Sequence, residues 1–143
     1  MKRGPSGLST FRVGDAPKEG EGLRIGVTRR PPRGVSRDKW TSEGHFDVWF
    51  PYLAPSDTLI GRYRARIDDE KARKQFFDAY ERELMKSAES RQAVELLAAM
   101  SLRTPVSLGC FCEDETRCHR SRLFKVVARE AERLAAIKKE EKP

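Results

Sequence analysis

The stretch that decides the fold runs from Thr104 to Leu123 and reads TPVSLGCFCEDETRCHRSRL. Its first part, Val106 to Cys112, is short, apolar and rich in β-forming residues, which predicts a buried strand. From Thr116 onward the apolar residues recur at helical spacing. Thr116 is the expected N-cap of this helix, and the acidic residues before it suit the helix N-terminus. We therefore expect a strand, a tight connection and a helix start, the arrangement at which α/β proteins place ligand sites.

All three cysteines of the chain and one of its two histidines fall within this stretch. Cys110 and Cys112 share one face of the expected strand, and Cys118 in the first helical turn can fold back towards them. With His119 they offer a four-ligand set for zinc. The C-x-C spacing is a poor zinc knuckle, and adjacent Cys118 and His119 point in different directions from a helix. We therefore do not favour zinc as a cofactor.

The same residues predict a reactive thiol. Cys118 lies at a helix N-terminus between Arg117 and His119, and this setting lowers the pKa of a thiol towards the nucleophilic thiolate. His119 is the candidate base, or the hydrogen-bond donor to an anionic substrate. Cys118 and His119 are thus the predicted catalytic residues. The structural alternative is that the cysteines are small buried fillers and that His119 only satisfies a helix cap.

A stiff basic loop over residues 29–35, RRPPRGV, follows a strand predicted over residues 23–28. Consecutive prolines exclude both a helix and a central strand there. Guanidinium groups bind phosphate and carboxylate in a bidentate manner, so this loop and the helix start predict an anion clamp. Its predicted members are Arg29, Arg30, Arg33, Arg117 and Arg120. The expected ligand is an anionic small molecule, nucleotide-like or phosphorylated, and the alternative is a rigid basic turn without a ligand.

The overall charge leaves a second function open. The chain has 143 residues, a formal net charge of +7 and a pI near 9.6, which permits contact with nucleic acid. The alternative function is therefore a small nucleic-acid-binding accessory protein whose Cys/His cluster is a structural zinc site or plain core. We expect no membrane partner, because no apolar run approaches the roughly 18 residues of a spanning helix. An odd number of cysteines and no leader-like N-terminus favour the cytoplasm.

The periodicity along the chain predicts one compact α/β domain with a small, mostly parallel sheet packed with helices. The expected element order is β-β-β-α-α-α-β-α. Residues 1–7 are expected to be disordered, 8–136 to form the domain, and 137–143 to be a charged, frayed tail. The local predictions for the first part of the chain are an edge strand over 8–13, a hairpin-type loop over 14–22 and a strand over 46–50. Helices are predicted over 57–64, with Ser56 as its cap, over 69–87, and over 90–102, with Ser90 as its cap. The last helix is expected to fray near Ala136.

Three segments together resemble one family. They are LRIGVTRRPPRGV over residues 23–35, DVWFPYLAPS over 47–56, and the two motifs CFC over 110–112 and CHR over 118–120. In this order they are similar to the family called domain of unknown function 488, with its YeaO-like relatives. The resemblance covers roughly residues 8–130 and implies a compact α/β domain found mostly in bacteria and archaea. It implies no activity. In the YeaO-like branch a histidine stands at the place of His119 without the cysteines, which weighs against an obligatory metal.

Overall fold

A computed structural model describes residues 7–141. One sheet contains the strands β1 (Leu8–Arg12), β2 (Leu23–Gly26), β3 (Val48–Trp49) and β4 (Val106–Cys110), all parallel, in the order β1-β4-β2-β3. The helices of the described residues are α1 (Asp57–Tyr63), α2 (Glu70–Lys86), α3 (Ala88–Ser101) and α4 (His119–Glu141). The predicted fold class and element order are thereby confirmed.

The β4 strand lies in the centre of the sheet. Val106 is in register with both Leu8 of β1 and Leu23 of β2, so the predicted hairpin between the first two strands is wrong. Every residue of β4 is buried, and a continuous buried run is typical of a strand with parallel neighbours on both sides. Gly22 has a φ of +71° and immediately precedes β2. A Cβ added to Gly22 would lie 2.1 Å from the oxygen of Pro105, the residue before β4.

The sheet has two different faces. Alternate residues of the strands, among them Leu8, Ile25 and Leu108, join the main core with the buried faces of the helices. The opposite face carries Phe11 and is covered by Trp40 and Phe46 from the long connection between β2 and β3. Helices therefore pack on one side of the sheet only, and the loop between β2 and β3 closes the other side.

A buried ion pair lies beneath this loop cover. Arg24 of β2 donates through Nε to the carboxylate of Glu21, and both side chains are at least 95% shielded, with exposures of 5% and 2%. The Arg24 guanidinium also donates to the carbonyl oxygens of Gly44 and Asp15, each at 2.8 Å, and lies over the Phe11 ring. These contacts join β2 to the two loops on this side of the sheet.

Helix starts follow the expected chemistry with two corrections. Ser56 and Asp69 cap α1 and α2 by accepting from the amides of Leu59 and Ala72. Ser87, and not Ser90, caps α3, because the Ser90 amide donates to the Ser87 hydroxyl. Thr116 does not cap α4 either.

The last helix begins later and ends later than the periodicity indicates. Asp114 accepts from the amide and the hydroxyl of Thr116 and holds residues 115–117 in a short 3₁₀ turn, so α4 begins only at His119. At the other end α4 continues past Ala136 to Glu141, because this segment contains mainly Ala, Lys and Glu, which are strong helix formers.

Two predictions concern the chain ends and membranes. Most of the expected N-terminal disordered segment, residues 1–6, lies outside the described residues, as do residues 142–143 of the expected tail. Gly7 is described: its amide donates to the Ser101 oxygen and its carbonyl accepts from the Val106 amide. Within residues 7–141, the structure contains no helix with the length and apolar character needed to cross a membrane.

Candidate functional site

A cleft of about 380 Å³ opens at the carboxyl ends of β2 and β4. Cys110 is the last residue of β4, and Thr28 follows β2 on the adjacent strand. Because parallel strands end at the same sheet edge, the loops that leave them meet here, at the usual position of ligand sites in open parallel sheets. The predicted meeting of the basic loop with the cysteine turn is therefore present.

Three thiols converge at one side of this cleft. The sulfur atoms of Cys110, Cys112 and Cys118 all lie within 4.8 Å of one another. Cys110 and Cys118 are buried, at 7% and 1% exposure, whereas Cys112 is exposed. The strand ends at Cys110 and not at Cys112 as predicted, so Cys112 lies in the turn and its thiol reaches the cleft.

The cluster stabilises one thiolate. Hydrogen bonds from the thiols of Cys110 and then Cys118 lower the pKa of Cys112 far below its usual range, and the nearby Arg120 charge lowers it further. The same interaction with Cys112 raises the pKa of Cys110 to about 11. Hydrogen bonds with Cys110 and Cys112 also raise the pKa of Cys118. Cys112 is therefore the thiol of the cluster whose ionisation the surrounding groups favour.

Arg120 supports that charge from inside the protein. Its side chain is on α4, is only 4% exposed, and donates from Nη1 to the Cys112 carbonyl oxygen at 2.8 Å. Its Nε is buried and has no hydrogen-bond partner within the described part of the chain. A buried guanidinium favours a negative charge nearby, and Arg120 accordingly contributes to the lowered pKa of Cys112.

His119 is held in a single orientation behind the thiols. Its Nε2 lies 2.7 Å from the Val27 carbonyl oxygen, and because a carbonyl only accepts, Nε2 carries the proton. The free electron pair is then on Nδ1, which lies 3.8 Å from the Cys118 sulfur. Burial lowers the pKa of His119, and the Tyr80 ring packs against the imidazole edge-on. The Nδ1 atom of His119 is therefore oriented to accept a hydrogen bond from the Cys118 thiol.

The cleft has an apolar floor and a basic rim. Its apolar lining consists of Pro55, Ile60, Tyr63, Ile67, Phe76 and Phe111, and its arginines are Arg29, Arg30, Arg64 and Arg117. The sequence pattern did not identify Tyr63, Arg64 or Phe76 as site residues. They lie on or after α1 and on α2, and a helical pattern shows that Phe76 is buried without showing that it borders a cleft.

The predicted arginines separate into two groups. Arg29, Arg30 and Arg117 line the cleft. Arg29 and Arg30 also lie 3.8 and 3.1 Å from the Asp57 carboxylate, and Arg117 pairs with Asp68 and Asp114. Arg33 is exposed and does not line the cleft, whereas Arg120 is buried behind the sulfurs. The Arg29 Nε is buried without a hydrogen bond, so the cleft contains an unsatisfied donor.

The predicted metal ligands are only partly brought together. The three sulfurs form a group whose ligand atoms lie within 4.8 Å of one another, and His119 does not belong to that group. Its Nδ1 adjoins the Cys118 sulfur alone. The cysteines could hold a soft cation such as zinc through three thiolates, with the fourth position supplied from the cleft.

The fold and site together define the class, a parallel α/β domain with a cluster of three cysteines and an arginine-lined cleft at the carboxyl edge of the sheet. The family model DUF488-N3a, described as the active DUF488-N3 subclade, matches residues 8–131. The protein therefore belongs to the DUF488 family, and the resemblance found in its sequence is confirmed. No match to the chain was found among curated proteins, and none among solved structures.

Proposed function

We propose that this protein is a thiol-dependent enzyme that binds an anionic small molecule, nucleotide-like or phosphorylated, and attacks it with Cys112. The observation that carries the proposal is the exposed Cys112 thiol beside two buried thiols at the edge of an arginine-lined cleft. In the reaction class we propose, a bond forms from sulfur to an electrophilic atom of the substrate while the bond to the leaving group breaks. The description of the matched subclade as active supports an enzyme.

The proposed nucleophile, Cys112, differs from Cys118, the nucleophile predicted from the sequence. The Cys118 side chain is 1% exposed, and its raised pKa keeps the thiol protonated, so the thiol is neither accessible to a substrate nor charged. The Cys112 thiol is exposed and has a lowered pKa. That Cys118 is the attacking thiol stays an untested prediction. In our proposal Cys118 instead donates a hydrogen bond to Cys112. His119 acts through Cys118, because its Nδ1 adjoins that sulfur.

The lining of the cleft supports the substrate class. The buried Arg29 Nε makes no hydrogen bond and lies 3.8 Å from Asp57 Oδ1, and the Arg64 side chain makes no hydrogen bond or ion pair among the described residues. Both can bind a phosphate or carboxylate group by charge-assisted hydrogen bonds. The rings of Tyr63 and Phe76 offer an apolar surface for a flat group attached to the anion. A ligand with a phosphate and a heterocyclic base meets both requirements.

The test measures alkylation of Cys112 by iodoacetamide, with the modified residue identified by peptide mass spectrometry. The probes are inorganic phosphate, ribose 5-phosphate, AMP and uncharged adenosine. We expect AMP to slow alkylation of Cys112 saturably, and to do so better than phosphate or adenosine.

A matched pair of arginine variants makes the test specific. Arg64→Gln should weaken the protection by AMP about tenfold, the loss expected for one charge-assisted hydrogen bond. Arg33→Gln removes the same charge from an exposed position outside the cleft and should leave the protection unchanged. If none of the probes slows alkylation at millimolar concentration, the proposed anion site is wrong.

The nucleic-acid-binding alternative can be decided in the same experiment. The net charge of +7 motivates it, and a single-stranded oligonucleotide serves as a further probe. Protection by the oligonucleotide that exceeds protection by AMP and falls steeply with salt would favour this alternative. A reducing compartment such as the cytoplasm, our proposed location, would keep the three thiols reduced.

A further inference from the structure

The cluster contains two buried thiols beside Cys112, and one of them can form a disulfide with Cys112, which nucleophilic attack alone does not require. An exposed cysteine beside one that is 1% exposed, with their sulfurs within 4.8 Å, is an arrangement in which the second thiol can react with an oxidised first one. We infer that Cys112 is a peroxide-oxidised modification site and that Cys118 resolves its sulfenic acid as an intramolecular disulfide. This inference rests on the proposed function, because it uses the same Cys112 thiolate.

In the first step the Cys112 thiolate attacks one oxygen of a hydroperoxide. The S–O bond forms as the O–O bond breaks, and the departing alkoxide or hydroxide takes a proton from water. The products are Cys112 sulfenic acid and an alcohol, or water when the oxidant is hydrogen peroxide. The sulfur is oxidised by two electrons and the peroxide is reduced by two.

In the second step the Cys118 sulfur attacks the Cys112 sulfur, and its proton passes to His119 at the same time. The Nδ1 of His119 is free to accept this proton because Nε2 already donates to the Val27 oxygen at 2.7 Å, and Nδ1 lies 3.8 Å from the Cys118 sulfur. The S–S bond forms as the S–O bond breaks. The hydroxide that leaves takes the proton from His119 and departs as water.

Cys118 resolves the sulfenic acid better than Cys110 for two reasons. Cys110 is two residues from Cys112 and is fixed in β4, where the Val13 amide donates to its carbonyl at 2.9 Å. Cys118 lies between a 3₁₀ turn and α4, and it alone of the two adjoins the His119 base.

The resulting disulfide would close the site reversibly. Cys112 in a disulfide is no longer a nucleophile, and a small dithiol such as dithiothreitol would restore it by exchange. The modification therefore protects the exposed thiolate from irreversible oxidation to sulfinic acid.

The test treats the reduced full-length chain with one equivalent of hydrogen peroxide and then blocks free thiols with N-ethylmaleimide. Trypsin cleaves after Arg103, Arg117 and Arg120, so residues 104–117 and the tripeptide 118–120 stay joined only through a disulfide to Cys118. We expect this joined peptide from the monomer, together with an intact mass lower by two hydrogens. Its absence, or a disulfide confined to residues 104–117, would overturn the inference.

Two serine variants separate the roles, since serine keeps a hydroxyl donor towards Cys112. Cys110→Ser should still give the joined peptide. Cys118→Ser should instead accumulate the sulfenic acid, seen as at least a tenfold increase in the dimedone adduct on Cys112. Loss of the disulfide in Cys110→Ser, or no increase of the adduct in Cys118→Ser, would assign the resolving role elsewhere and refute the inference.

The two proposals fail in different ways. If peroxide yields the Cys112–Cys118 disulfide but no anion slows alkylation, the redox pair stands and the proposed enzyme site does not. If anions protect Cys112 but peroxide gives no such disulfide, the enzyme site stands and the inference is wrong.

Discussion

Arg120 Nη1 donates a hydrogen bond to the carbonyl oxygen of Cys112 at 2.8 Å. The contact joins the second residue of α4 to the turn that follows β4, and it brings a buried positive charge to the backbone of the one exposed cysteine. A guanidinium at this place both holds the turn and favours a thiolate on Cys112. The chemistry of the site therefore depends on a residue that does not line the cleft.

The first prediction concerns the pH dependence of Cys112 alkylation. Because the pKa of Cys112 is lowered, its thiolate predominates at all pH values above that pKa, so the rate should change by less than about twofold between pH 6 and 8. An ordinary thiol, with a pKa of about 8.5, loses nearly tenfold in rate for each pH unit below it. The measurement is the second-order rate with iodoacetamide across this pH range.

Alanine variants of the donors test the cause of that shift. Cys110→Ala and Cys118→Ala each remove one hydrogen bond to the thiolate, so each should raise the pKa of Cys112 and make the rate fall as the pH is lowered. Cys112→Ser is the control that removes the reacting thiol and should abolish the alkylation that is nearly independent of pH. A wild-type rate that already falls tenfold per pH unit would show that no thiolate is stabilised.

The second prediction concerns metal content. We expect native mass spectrometry of the chain, purified under reducing conditions without chelator, to give the mass of the polypeptide without zinc. The reason is that a structural zinc site needs four protein ligands, whereas within residues 7–141 the three sulfurs converge without His119, whose Nδ1 adjoins Cys118 alone. A denatured sample supplies the reference mass. Zinc that is retained by the native chain and lost on Cys112→Ser and on Cys118→Ser would contradict this prediction and also remove Cys112 as the free nucleophile.

The third prediction concerns the buried pair of Glu21 and Arg24. Glu21→Gln leaves the Arg24 charge without a counter-charge in a site where both side chains are at most 5% exposed. Removal of one partner of such a pair lowers the free energy of unfolding by about 3 kcal/mol. Urea denaturation followed by circular dichroism measures this change.

A surface ion pair supplies the matched control. Lys74 contacts Asp78 on the exposed side of α2, and its side chain is 74% exposed. Lys74→Gln should change the free energy of unfolding by less than about 0.5 kcal/mol, because solvent screens such pairs. Equal effects of Glu21→Gln and Lys74→Gln would mean that the buried pair is not important for stability.

The fold was largely predictable from local patterns. Apolar alternation and helical spacing gave the element order, and the capping residue Ser56 was recognisable because a short polar side chain before a helical run often caps the helix. The order of strands was not predictable in this way. Whether β4 lies at the edge beside β1 or between β1 and β2 depends on contacts between residues more than 80 positions apart in the sequence. A local sequence pattern contains no information about such contacts.

The candidate site was found in outline, but the burial of its residues could not be predicted from the sequence. Helical periodicity placed Cys118 in the first turn of α4, where a thiol would be accessible, but the 3₁₀ turn over 115–117 delays the helix and buries Cys118. The prediction of Cys118 as nucleophile has no direct test yet. Arg64 carried no signal in the sequence, since one exposed arginine among many differs from the others only by its position at the cleft.

The sequence by itself determined that three cysteines, a histidine and two groups of arginines would meet at the end of a parallel strand, because strand polarity and short connections bring such residues to one edge. Only the tertiary structure decided which sulfur is exposed, which histidine nitrogen is free and which arginines face the cleft. Those properties arise from burial and from hydrogen bonds between distant segments, such as that of His119 with Val27. A sequence pattern specifies spacing along the chain, whereas the charge on a thiol depends on every group that surrounds it in space.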